Sequence, residues 1–110
     1  MVEYEPALDS TFAALSHSAR RQMLNSLREG PMRVTELAAP FTVSLAASSK
    51  HIRVLEHAGL VSRRVLGRDH LLTLQDQPLM EADRWIGIYH RFWEDRLDAL
   101  DARLRGRSLG

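Results

Sequence analysis

Residues 44–61 read SLAASSKHIRVLEHAGLV, and the fold turns on this run. Ser44 has the short hydroxyl side chain that caps a helix N-terminus. Gly59 is the residue best able to take the left-handed position just past a helix end. Between them the spacing predicts a helix over Leu45 to Ala58. Leu45, Ser48, Ile52 and Leu55 lie on one stripe of it, and Ala46, Ala47, Lys50, Arg53 and His57 on the opposite side.

On the N-terminal side, Thr35 is placed to cap a brief helix from Glu36 to Ala39, which Pro40 interrupts. A short helix followed by a sharp turn into a capped helix is a helix-turn-helix, here residues 34–58. Beyond Gly59, Val61 to Leu66 and Asp69 to Leu74 are rich in Val, Leu and Thr and are separated by Gly67-Arg68. That pattern predicts a hairpin with a tight turn, a wing over residues 61–74. Further out, Ser18 is the expected cap of a helix marked by Ala19, Met23 and Leu27 and stopped by Gly30-Pro31. Leu8, Phe12 and Leu15 form a short amphipathic helix after Pro6. After Pro78, Trp85, Tyr89, Phe92, Trp93, Leu97, Leu100 and Leu104 make one apolar stripe on a helix reaching about Arg105, roughly 40 Å long. The expected class is mainly α with a small β-hairpin: a winged helix-turn-helix with flanking helices at 8–16 and 79–105.

The 110 residues suit one domain over 1–110, and 45% hydrophobic with 26% charged residues is a globular composition. No run of ~18 uncharged apolar residues is present, so no membrane span is expected. The opening MVEYEPALDS is acidic and is not a secretory signal, which makes the cytoplasm the expected location. Without cysteine there is neither a disulfide nor a thiolate ligand.

The net charge of +1 hides a division along the chain. Residues 1–16 carry Glu3, Glu5 and Asp9 with no cation. Residues 17–70 hold nine basic groups against four acidic ones, and from residue 71 six Arg face seven acids. A basic middle of this kind attracts phosphate whatever the total charge. The small outer face of the 45–58 helix lets its backbone approach a duplex, with Lys50 and Arg53 reaching outward to phosphates or bases. Ser48 and Ser49 have two readings, donation to phosphate or packing of the helix. Arg63, Arg64 and Arg68 put positive charge on the wing. Catalysis is not expected: the five histidines are dispersed, and there is no P-loop or Gly-rich dinucleotide loop.

The run VTELA (Val34 to Ala38), then SKHIRVLEHAGLV (Ser49 to Val61), Arg63-Arg64 and Gly67-Arg68, resembles the ArsR–SmtB family of bacterial winged-helix repressors. LSHSARRQML (Leu15 to Leu24) is similar to that family's segment between its first two helices. The resemblance covers roughly residues 8–104. It implies a symmetric homodimer that binds an inverted-repeat operator in double-stranded DNA. The reading surface would be Ser44, Ala46, Ala47, Ser49, Lys50 and His51, with Ser48 and Arg53 beside them, and the wing contacts Arg63, Arg64 and Arg68. For His51 a structural hydrogen bond is the alternative.

Departures from the family pattern bear on metals. Where an arsenic-type site has cysteines, this chain has Arg33 and Thr35. Where a zinc-type site wants a histidine after Asp83, it has Trp85. His90 and Glu94 share a face at i, i+4, more simply read as a solvated pair. No metal or cofactor is therefore expected. Four of the seven aromatics fall in residues 85–93, too many for the outside of a small monomer. Leu8, Phe12 and Leu15 with Trp85, Tyr89, Phe92, Trp93, Leu97 and Leu100 make the expected dimer interface. The alternative is that Trp85 and Trp93 fold back on their own core. Two other functions stay open: a winged-helix domain that binds protein, and a repressor released by an unnamed small molecule near the aromatic helix.

Overall fold

The computed structural model describes residues 6–108; Glu3 and Glu5 of the acidic start lie outside them. The elements are α1 (Pro6–Leu15), α2 (Ser18–Leu27), β1 (Met32–Arg33), α3 (Val34–Ala38), α4 (Leu45–His57), β2 (Val61–Leu66), β3 (Asp69–Leu74) and α5 (Gln77–Ser108). Class and element order follow the expectation. The sheet has one more strand than expected: β1 pairs antiparallel with β3, giving the order β1-β3-β2.

Helix α4 shows why its ends fall where they do. The Ser44 hydroxyl accepts from the Ala47 amide at 3.1 Å. At the other end Gly59 has φ +77, its amide donates to Glu56 O, and the Leu60 amide reaches back to Leu55 O, both at 3.0 Å. These paired bonds form a Schellman motif, and the Leu55 and Leu60 side chains are both fully buried, supplying its apolar contact. The hairpin turn is equally specific. Gly67 takes φ +65 while Arg68 keeps a negative φ, the pattern of a type II′ turn that matches the strand twist.

Two expected caps are replaced. Helix α2 is capped by His17, whose Nδ1 accepts from the Ala19 amide at 3.1 Å, so Ser18 is already helical. Helix α3 begins at Val34 instead of Glu36, because the Glu36 carboxylate reaches back to the Arg33 amide at 3.1 Å and Thr35 lies inside the helix. In both cases a side-chain acceptor within one turn satisfies a different backbone amide at the helix start, and the helix begins earlier than a hydroxyl cap would have set it.

The core is one cluster: Met23, Leu24 and Leu27 from α2, Leu37 from α3, Ile52 and Leu55 from α4, with Leu60, Val61, Leu72 and Ala14. Leu45 is not part of the stripe it was expected to extend. It sits in the first turn of α4, beyond the core, and is 54% exposed. On α1 the fully covered residues are Thr11 and Ala14, and the Thr11 hydroxyl is satisfied by Ala7 O at 3.0 Å. Leu8, Phe12 and Leu15 are half-buried.

Helix α5 lies along α1 only near its start, where Ala82 is buried and Phe12 meets Trp85 edge-on at 5.8 Å. Its 32 residues span ~48 Å at ~1.5 Å each. The projecting helix stretches the molecule to 72 × 38 × 22 Å, with a radius of gyration of 19.9 Å. A compact chain of this length would have ~13 Å.

Candidate nucleic-acid interface

The outer face of α4 follows from its inner one. Ile52 and Leu55 anchor the helix, which turns Lys50 and Arg53 outward, both exposed. Ala46 beside them is exposed and Ala47 half-buried, so the N-terminal turn carries nothing longer than a methyl group at either position. Ser44 at the cap is exposed and Ser49 half-buried. A groove-sized helix end with exposed cations one and two turns along is thus assembled from Ser44, Ala46, Ala47, Ser49, Lys50 and Arg53.

Three candidate residues are placed elsewhere. Ser48 is fully buried, in phase with Ile52 and Leu55, and packs the helix against the core, so of its two readings the structure takes packing. Its hydroxyl has no hydrogen-bond partner among the described residues. His51 turns toward α2, where its Nδ1 accepts from Arg20 Nη1 at 2.9 Å and its ring meets that of His17 at 4.3 Å between centroids. Burial, followed by the nearby charges of His17, Arg20 and Lys50, lowers its pKa below the ordinary 6.5. A neutral imidazole with a free Nδ1 is the form this bond needs. His51 therefore takes its structural alternative.

Arg63 is the third. Its guanidinium donates twice to Glu56, Nη2 to Oε1 at 2.7 Å and Nε to Oε2 at 3.2 Å, and Nη1 lies 3.0 Å from His70 Nδ1. Its side chain and that of Glu56 are each 26% exposed. With three of its five N–H donors engaged by α4 and β3, Arg63 fastens the wing to the reading helix instead of reaching outward as Arg64 and Arg68 do. The strand register explains the His70 contact: Arg63 pairs with Leu72 and Val65 with His70, which makes Arg63 and His70 diagonal neighbours on one face. Arg64 and Arg68 are exposed and make no ion pair among the described residues.

Residues not singled out from the sequence complete the support. Arg20 Nε donates to Ala14 O at 2.7 Å and Arg21 Nη1 to Leu15 O at 2.7 Å. Two guanidinium groups thus close the carbonyl end of α1, where the helix dipole favours positive charge. Glu56 and His70 matter through Arg63. The sequence signal for Arg20 and Arg21 is their place at the start of a helix directly after another helix's last turn.

On α5 the aromatic and Leu stripe stays open in the single chain. Trp85 reaches Phe12 and lies 5.0 Å from Tyr89, so it touches its own fold. Tyr89, Phe92, Trp93, Leu97, Leu100 and Leu104 are all more than half exposed. A groove of about 500 Å³ between the two helices is lined by Pro6, Leu8, Arg84, Trp85 and Ile88 among others. His90 Nε2 and Glu94 Oε1 are 3.0 Å apart on an exposed face, and Asp101 pairs with Arg105 at 3.0 Å, as i, i+4 spacing dictates. Among the described residues no three His, Asp or Glu side chains converge on a point. No helix among them is long and apolar enough to cross a membrane.

Residues 17–63 match the family described as bacterial regulatory protein, arsR family. The chain is 39% identical over 85 residues to the HTH-type transcriptional regulator NmtR of Mycobacterium tuberculosis, a match covering 74% of this chain and 67% of NmtR. It is 27% identical to the transcriptional repressor SdpR of Bacillus subtilis, over 72% of this chain and 88% of SdpR. The crystal structure of an ArsR family transcriptional regulator superposes with a TM-score of 0.77 at 33% identity, covering 86% of this chain and 97% of that one. These relatives are regulators of transcription and not enzymes.

Proposed function

This chain belongs to the arsR family of bacterial regulatory proteins and is a DNA-binding transcriptional regulator, and from that premise we propose that it is a homodimeric repressor reading an inverted-repeat operator. The observation that carries the reading is the outer face of α4. A capped helix end with small side chains at Ser44, Ala46 and Ala47, followed by the exposed cations Lys50 and Arg53, suits insertion into a major groove. Arg64 and Arg68 extend the positive surface onto the wing, within reach of the neighbouring phosphates.

The exposed stripe of α5 supports the dimer. A run of large apolar side chains on a projecting helix is covered when a second copy lays its own α1 and α5 against it. A twofold axis through that contact sets two α4 helices ~34 Å apart, one turn of DNA. Such a regulator acts in the cytoplasm, where the operator is.

Fluorescence anisotropy tests the reading, using a duplex from the chain's own upstream region beside a scrambled duplex at two salt concentrations. Saturation at two chains per duplex with a preference of ~10³ or more is expected. Arg64→Ala with Arg68→Ala should lower affinity for every sequence and reduce the salt slope by about 1 for each phosphate no longer neutralised. Absence of binding at low salt would overturn the proposal.

A further inference from the structure

An open groove of about 470 Å³ runs between α1 and α4, on the opposite side of α1 from the aromatic helix and within the size range of small-molecule sites. It exists because α1 presents only Ser10 and Ala13 there, three residues apart on one face and too short to fill the gap. From α4, Val54 and Ala58 add half-buried apolar surface. Lys50, Arg53 and His57 stand along the same side of that helix, and none of the lining residues is acidic. Of the two acids adjoining the lining in sequence, Glu56 is turned away to Arg63, and Asp9, next to Ser10, is exposed on α1 and is not part of the lining. Lys50 and Arg53 are exposed and make no ion pair among the described residues.

This combination discriminates between occupants. A phosphate group gains nothing from apolar lining, and a neutral apolar molecule leaves two cations without a counter-charge. A small anion with an apolar body satisfies both halves. We propose that the α1–α4 groove binds a small amphipathic carboxylate, with an aryl or short acyl body on Ala13, Val54 and Ala58 and its carboxylate at Lys50 and Arg53. Resting on the DNA reading above, the occupant competes with the operator, because both draw on the same two cations. Binding linkage then makes the effect reciprocal: DNA weakens the carboxylate's hold by the same factor.

The test uses the full chain, with ¹H–¹⁵N spectra titrated separately with octanoate, phenylacetate and their neutral amides. Expected are saturable shifts at Ser10, Ala13, Val54, His57 and Ala58, with a midpoint of ~1 mM or below for at least one acid, as suits a ligand of that size. The matching amide should bind at least ~10-fold more weakly, because it cannot form the charge-assisted hydrogen bonds. Ala13→Phe fills the groove and leaves every cation in place, and it should abolish the shifts while a thermal melt reports the intact fold. Ala13→Leu is the second variant should the Phe chain not fold.

In the anisotropy assay the acid should weaken wild-type duplex binding and flatten its salt dependence by about 1 for each phosphate displaced. The Ala13→Phe protein should bind the duplex without responding to the acid. Shifts confined to the α5 stripe, equal binding of acid and amide, no shift with either acid, or a response that persists in Ala13→Phe would each overturn the site. Groove shifts with unchanged duplex affinity would overturn the competition and leave the site standing. Failure of the acid-free protein to bind any duplex would instead sink the DNA reading, and the spectra would still decide the groove.

Discussion

Replacing Glu56 by Ala removes the carboxylate that holds Arg63 between α4 and the wing. The pair is bidentate, at 2.7 and 3.2 Å, each side chain is about three-quarters buried, and His70 Nδ1 meets a third guanidinium nitrogen, Nη1, at 3.0 Å. Fully exposed pairs couple by ~0.2–1 kcal/mol, and breaking a fully buried one costs ~3–5 kcal/mol. The partial burial here puts the coupling between these limits, at about 1–2 kcal/mol, or several degrees in Tm. The assay is a double-mutant cycle by urea unfolding at fixed protein concentration, with Glu56→Ala, Arg63→Ala and the pair together. The single changes should each destabilise, and the double should cost little more than either one. In the anisotropy assay Arg63→Ala should leave the salt slope unchanged, while Arg64→Ala and Arg68→Ala each reduce it. Additive stabilities within ~0.5 kcal/mol, or a salt slope reduced by Arg63→Ala alone, would refute the argument that this arginine is a fastener.

Trp93→Ala with Leu97→Ala removes two side chains from the open stripe, each worth ~2–3 kcal/mol when buried, so the dimer's Kd should rise by ~10² or more in sedimentation equilibrium. An unchanged dimer would place the interface elsewhere. His51 has a lowered pKa in the folded chain, so the unfolded chain takes up the proton first as pH falls. Its stabilising effect is fully present above about pH 6.5 and is lost as pH falls through the folded value. Asn at position 51 keeps an acceptor for Arg20 without titrating, and the urea-derived stability between pH 7.5 and 5.5 should fall less steeply in His51→Asn; equal slopes would contradict the assignment. Ser48→Ala removes a buried hydroxyl that has no partner among the described residues, and it should be neutral or stabilising by up to ~1 kcal/mol with unchanged duplex affinity. A loss of affinity at unchanged stability would mean that Ser48 touches DNA after all.

The elements legible in the sequence are those with a local physical cause. Gly59 and Gly67 take the left-handed conformations their places demand, and Pro6 opens α1. Strand β1 is two residues long, and nothing local marks Met32 and Arg33 as extended; they become a strand only by pairing with Leu71 and Leu72. The reading surface was legible as a helix face and less so residue by residue. Ser48 fitted both the apolar stripe and the DNA face, and phase with Ile52 and Leu55 decided between them. His51 and Arg63 went to partners 31 and 7 residues away, across turns that no periodicity reports. Similarly, His17 caps α2 in place of Ser18, and Glu36 bonds the Arg33 amide so that α3 starts before Thr35, because several side chains near a helix start can each satisfy a different amide.

Arg20 grips Ala14 O with Nε and Ala13 O with Nη2, while Nη1 holds His51 on α4. One planar, rigid group thus bolts the last turn of α1 to the middle of the reading helix. Repositioning α1 against α4 therefore means re-forming hydrogen bonds at both ends of this one side chain, at 2.7 Å on α1 and 2.9 Å on α4. In the proposed dimer, the twofold contact on α1 and the spacing of the two α4 helices would thus be coupled through this joint as well as through the shared core. Tightening or loosening that joint would retune the pitch of DNA that the pair can span without altering a single DNA-contacting residue.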